Sequence, residues 1–132
     1  MTSALEALKV KFEEEVEKMR QLEKDRMKCM SNRKQLESQL TENKMVKEEL
    51  DRLESSAKVF KLIGPVLVKQ DLTDAHENVK KRIEYIETEI KRVESVLLDF
   101  IKKVEKQKEA TEKARDQLKN GMAASGMVKA VS

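Results

Sequence analysis

The sequence predicts a mainly α-helical chain: a long antiparallel two-helix coiled coil whose helices are joined by one short β-hairpin. Three observations predict it. Charged residues make up 40 % of the 132 residues and aromatics 3 %, with no tryptophan, which is the composition of long helices rather than of a large globular core. Apolar residues recur at a 3-4 spacing over two long segments. Strand-type residues cluster in one stretch only, "VFKLIGPVLVKQ" from Val59 to Gln70, which holds the single proline and one of the three glycines.

The first helix is expected over about 3–54. Its seam positions are Leu5, Leu8, Phe12, Glu15, Met19, Leu22, Arg26, Cys29, Arg33, Leu36, Leu40, Asn43, Lys47 and Leu50, and nine of those fourteen are apolar. No proline or glycine interrupts them. That regularity argues against disorder, the competing reading of a highly charged chain.

The hairpin is expected over 57–71. "VFKLI" and "VLVKQ" are rich in β-branched and aromatic residues, and Gly64-Pro65 between them marks a turn. Pro65 also blocks continuation of the first helix. A lone two-stranded hairpin is marginal in water. This one carries Val59, Phe60, Leu62, Ile63, Val66, Leu67 and Val68 with two free edges, and unpaired apolar edges invite another chain. These residues, with Gly64 and Pro65 as the turn, are the candidate assembly surface. The competing reading folds the hairpin back on its own helix ends.

The second helix is expected over 73–119. Thr73 serves as its N-cap, with Asp74 in the first turn, and Asn120-Gly121 as its stop. Its seam is Val79, Ile83, Ile86, Ile90, Val93, Leu97, Phe100, Val104, Gln107, Thr111, Ala114 and Leu118, ten of twelve apolar. Residues 120–132 are expected to be a disordered tail. Neither helix can bury its stripe alone, and the short connector favours an antiparallel return. The whole chain, 1–132, is read as one domain, a rod of roughly 70 Å at 1.5 Å rise per residue.

Charge excludes some functions. There are 28 basic and 25 acidic residues, a net charge of +3, and both signs are mixed along each helix. No basic stripe supports nucleic-acid binding. No run approaches the ~20 apolar residues that span a bilayer, and the N-terminus has no apolar signal core. With one cysteine there is no intramolecular disulfide, so a soluble protein of a reducing compartment, the cytoplasm, is expected. His76 reads as a surface or capping residue, and Cys29 as a small seam hydrophobe. No phosphate loop, metal cluster or catalytic set is found, so no enzyme activity, metal or cofactor is expected.

Within this frame the residues carry a resemblance. "VFKLIGPVLVKQDL" between its two helices, the upstream "QLTENKMVKEELDRLE" (Gln39 to Glu54) and the downstream "KRIEYIETEIKRVES" (Lys81 to Ser95) resemble the β-type subunits of prefoldin. The likeness is specific from Glu15 to Ser95 and one of pattern beyond. It implies a helix–hairpin–helix chain whose hairpin joins those of five other prefoldin subunits in a β-barrel platform of a hetero-hexamer. It also implies a co-chaperone that captures unfolded clients such as actin and tubulin near the coiled-coil tips and hands them to the chaperonin TRiC.

The seam adds residues to that expectation. Near the hairpin it offers Ile83, Ile86, Ile90 and Val93; toward the termini it offers Gln107, Thr111 and Ala114, which should bury little. The distal third should therefore splay most easily. Opening it would present Leu5, Leu8, Phe12, Val16, Met19 and Leu118 as the client-binding candidates. The alternative is a structural coiled-coil scaffold or tether that oligomerises through its hairpin.

Overall fold

The computed structural model describes residues 3–126. Four elements follow in order: α1 (Ala4–Asp51), β1 (Val59–Ile63), β2 (Val66–Gln70) and α2 (Leu72–Ala124). The chain divides into two compact units, one of Ser31–Ser95 and one of Met1–Met30 with Val96–Ser132.

Helix α1 starts where its first free amides find acceptors. The Glu6 N–H donates to Ser3 Oγ at 3.1 Å, and the Ala7 N–H to the Ser3 carbonyl at 3.2 Å, so Ser3 is the N-cap. Its end comes three residues before the expected 54. The Arg52 N–H is shared between the carbonyls of Glu48 and Glu49, and Leu53 N–H bonds Leu50, a tightening that closes the last turn. Ser55 and Ser56, which favour turns over helix interiors, then carry the chain toward β1.

Helix α2 starts at Leu72, and its cap is Asp71 rather than the expected Thr73. Asp71 Oδ1 accepts from the Thr73 N–H at 2.7 Å, and its carbonyl accepts from Ala75 N–H at 2.9 Å. A carboxylate at this position both fills a free amide and meets the positive end of the helix dipole. The expected stop at Asn120-Gly121 is also displaced. The helix continues to Ala124, and the left-handed residue that ends it is Gly126, φ +72. The expectation of disorder thus fails over 120–126; its remainder, 127–132, lies outside the described residues.

The Ser31–Ser95 unit contains the hairpin and the helix ends that carry it. Arg33 pairs with Glu94 at 3.0 Å, and farther along α1 Asp51 Oδ1 lies 3.3 Å from His76 Nδ1. Partners that rise along α1 fall along α2, so the helices are antiparallel here. Leu50, Ala75, Val79 and Ile83 form the core, with Leu40, Val59 and Leu72 packed against it. Ile86 and Val93 are buried too, Val93 at 1 % exposure. Leu40, Leu50, Val79, Ile83, Ile86 and Val93 are positions of the 3-4 seam; Ala75 and Leu72 join them from the first turn of α2.

The other unit is antiparallel by the same test: Leu8 meets Gly121 and Glu15 meets Gln107. Its seam side chains from Leu5 to Cys29 on α1, and from Leu97 to Leu118 on α2, are half-buried or buried. Of all seam positions read from the sequence, Lys47 is the one that stands exposed; its ammonium pairs along its own helix with Asp51 at 3.1 Å.

Candidate functional site

The hairpin surface comes first. β1 and β2 pair antiparallel in the register Val59↔Gln70, Phe60↔Lys69, Lys61↔Val68, Leu62↔Leu67, Ile63↔Val66. Gly64 and Pro65 are therefore a two-residue turn. Gly64 has φ +57, and the proline ring locks a negative φ at the next position, which selects the type II′ hairpin turn. That turn twists in the sense the strands require, so the register is fixed by two residues.

Side-chain alternation places Phe60, Leu62, Leu67 and Lys69 on one face, and Val59, Lys61, Ile63, Val66, Val68 and Gln70 on the other. Only the base is anchored, through Val59. Phe60, Leu62, Ile63, Val66, Leu67 and Val68 are all exposed, Leu62 at 66 %. Both faces are apolar and neither is covered by the helices, so the fold-back reading of the hairpin is the weaker one. Among the described residues the sheet has these two strands alone, leaving both outer edges unpaired.

The second surface is the terminal unit. Leu5, Leu8, Phe12, Val16, Met19 and Leu118 are half-buried along the helix pair. The distal seam is better filled than its sequence suggests. Ala114, expected to bury little, is 3 % exposed. Gly121 lies under Leu8: a Cβ there would stand 2.8 Å from Leu8 Cδ1, so the glycine admits the leucine to the helix surface. Hence its place inside α2 rather than at a cap.

Gln107 and Thr111, expected as weak spots, form a polar layer with Glu15. Glu15 is 4 % exposed. Gln107 Nε2 donates to Glu15 Oε2 at 2.5 Å and to the Glu15 carbonyl at 3.0 Å, while Thr111 Oγ1 donates to the Gln107 carbonyl at 2.8 Å. Lys11 and Lys18 approach Glu15 Oε1 from the solvent side at 2.9 and 3.5 Å. The Gln107 hydrogen bond, aided by that of Lys11, outweighs desolvation and pulls the Glu15 carboxyl down to about 2. The same contact raises the Lys11 ammonium. Glu15 and Gln107 were both legible as seam positions; that they meet was not. Two polar seam residues at matching height on antiparallel helices is the signal for such a layer.

Cys29 is half-buried on the seam, and His76 half-buried beside Asp51. Among the described residues no group of three His, Cys, Asp or Glu side chains could hold a metal, and no helix is long and apolar enough to cross a membrane. What the molecule offers is surface: an apolar hairpin and a closed, polar-layered helix pair.

Residues 13–120 match the family model described as prefoldin subunit. The chain is similar to prefoldin subunit 6 of Mus musculus, 49 % identical over 125 residues that cover 95 % of this chain and 98 % of that one. The Homo sapiens prefoldin subunit 6 is 50 % identical over 119 residues, 90 % and 92 % of the two chains. The crystal structure of the prefoldin beta subunit from Thermococcus strain KS-1 shares the fold, with a TM-score of 0.67 at 22 % identity over 81 % of this chain and 91 % of that one. Helix, single hairpin and helix, matched across nearly the whole length, have one reading: the chain belongs to the prefoldin subunit family.

Proposed function

We propose that this chain is one of six subunits of a cytoplasmic prefoldin-type co-chaperone, joined to five others through its hairpin. It would capture unfolded polypeptides such as actin and tubulin at its terminal helix pair and pass them to the chaperonin TRiC. Family membership itself makes the chain a component of the prefoldin chaperone complex rather than an enzyme, and one that assembles with other prefoldin subunits.

The observation that carries the finer reading is the hairpin. Six large apolar side chains stand exposed on two strands with free edges, and burying each is worth roughly 1.5–3 kcal/mol. No contact among the described residues supplies that burial. The client site rests on Leu5, Leu8, Phe12, Val16, Met19 and Leu118, whose half-burial means that capture requires the terminal unit to open.

The test is a crosslinking assay on the assembled complex with an unfolded client, with photoreactive probes at Leu8 and at Leu40. Adducts at Leu8 support capture at the terminal unit; adducts mainly at Leu40, with none at Leu8, sink it. Failure of the purified complex to suppress client aggregation would favour a scaffold or tether.

A further inference from the structure

Val10, Met27, Met30, Leu98 and Ile101 are the large apolar side chains that stand exposed among the described residues of the terminal unit. Four of them share one flank. Met27 and Met30 each follow a seam position of α1, Arg26 and Cys29; Leu98 and Ile101 follow Leu97 and Phe100 on α2. On antiparallel helices the residues that follow the seam fall on one side of the pair, because reversing a helix and turning it to face its partner keeps that side. Leu8 meets Gly121 and Glu15 meets Gln107, and the same register carried along the helices puts Met27 and Met30 level with Leu98 and Ile101. The four therefore form one patch across both helices, Leu98 at 63 % exposure and Met27 at 62 %. One heptad toward the termini the equivalent positions are Arg20, Glu23, Glu105 and Lys108, and one heptad the other way they are charged as well, again two of each sign.

We propose that this patch docks an amphipathic helix of a partner protein, about two turns of it, laid in the groove between α1 and α2. Chemistry selects that occupant. Both walls are helices whose main-chain groups are bonded within themselves, so nothing here can receive the bare amides of an extended segment. A helix satisfies its own main chain, and its residues at i, i+3 or i+4 and i+7 would sit between the four side chains. Methionine suits such a groove because it is flexible and polarizable. Charge argues for an uncharged docking stripe. The nearest seam charge, Arg26, pairs with Glu23 at 3.1 Å, and its Nη1 donates to Met30 Sδ at 3.4 Å. The flanking positions carry equal numbers of each sign. Size argues against a second copy of this chain. A stable interface takes roughly 20–30 residues a side, and four side chains, one turn of each helix, hold only a short segment reversibly. The patch is open while the terminal unit is closed, so docking here is independent of the client capture proposed above.

The experiment uses the assembled complex with isotope-labelled methionine methyl groups in this chain alone. The probe is a peptide of about 18 residues, five turns of helix, built of leucine, lysine and glutamate with leucines at i, i+3, i+4 and i+7. The control is a scrambled peptide of the same composition. The Met27 and Met30 methyl resonances should move on addition of the helix and not of the scramble, while Met45, an exposed methionine of the other unit, should stay in place. Met27→Lys/Leu98→Glu, read at Met30, should weaken the peptide about tenfold or more. Both positions are exposed, so helical content should be retained, which circular dichroism checks. Equal shifts from the two peptides, a shift at Met45 as large as that at Met27, or unchanged affinity in the double variant would overturn the proposal. So would an unfolded client that moves Met27 and Met30 and displaces the peptide, since the patch would then belong to client capture.

Discussion

Gln107 holds Glu15 at two points, the carboxylate at 2.5 Å and the main-chain carbonyl at 3.0 Å, and so locks one turn of α2 against one turn of α1. A single amide fixes both the height and the rotation of the two helices. Sliding either helix by a turn would strand a buried carboxylate, which is costly where apolar slippage is cheap. The layer therefore acts as a register pin in a seam that is otherwise tolerant.

Acid should loosen this pin. Glu15 titrates at about 2 in the fold against an ordinary 4.5. A depressed carboxylate stabilises fully above its unfolded value and loses that contribution as pH falls from about 4.5 toward 2. The melting temperature of the wild-type chain should drop between pH 5 and pH 3 by more than that of Glu15→Gln. Equal drops in the two proteins would show that Glu15 is not held as described.

Removing one partner should cost more than removing both. Gln107→Leu leaves a buried carboxylate facing a methyl group, and a melting-temperature loss of roughly 5 °C is expected. Glu15→Leu/Gln107→Leu replaces the layer with apolar seam and should recover most of it, or exceed the wild type. A double variant as unstable as the sum of its singles would argue that the two side chains do not interact.

Gly121 sets two effects against each other. Alanine there gains about 1 kcal/mol of helix propensity but puts a Cβ 2.8 Å from Leu8 Cδ1. Gly121→Ala should be nearly neutral alone, and stabilising by about 0.5–1 kcal/mol in a Leu8→Ala background, where the clash is gone. The same gain in both backgrounds, measured by thermal melts, would mean that Leu8 does not rest on the glycine.

The turn gives a prediction about assembly. Nothing lies within 4 Å of a Cβ built on Gly64, so any penalty for a side chain is backbone strain at φ +57 rather than crowding. Gly64→Val should cost about 1–3 kcal/mol and weaken incorporation into the complex. Gly64→Asn should cost less, because asparagine tolerates positive φ. Valine and asparagine variants that assemble alike would remove the turn from the account.

The seams were readable because a 3-4 repeat on a two-helix chain has one way to be buried. Val79, Ile83, Ile86 and Val93 fell where spacing put them, and the hairpin's strands were within a residue or two of expectation. Caps were read less well. Asp71 and Thr73 are both good N-cap residues two apart, and only the path of the chain leaving β2 decides between them. Gly121 looks like a stop because a glycine after an asparagine usually is one; its use as a seat for Leu8 depends on a residue 113 positions earlier. The exposed flank of Met27, Met30, Leu98 and Ile101 was hidden for a different reason. A sequence shows which residues are apolar, but an uncovered second stripe shows itself only when the first is seen to be covered.

The exposed hairpin has a consequence for the lone chain. Two free edges and six bare apolar side chains on ten strand residues form a template for self-pairing, and such edges seed aggregation when nothing caps them. The two lysines of the strands, with Lys58 and Asp71 flanking them and Pro65 in the turn, are the gatekeepers against it. Solubility is thus a matter of stoichiometry: molecules in excess of their partners are the ones that associate wrongly or meet a protease. On the assembly proposed above, supply of the other subunits, more than the chain's own folding, would set how much of it can accumulate.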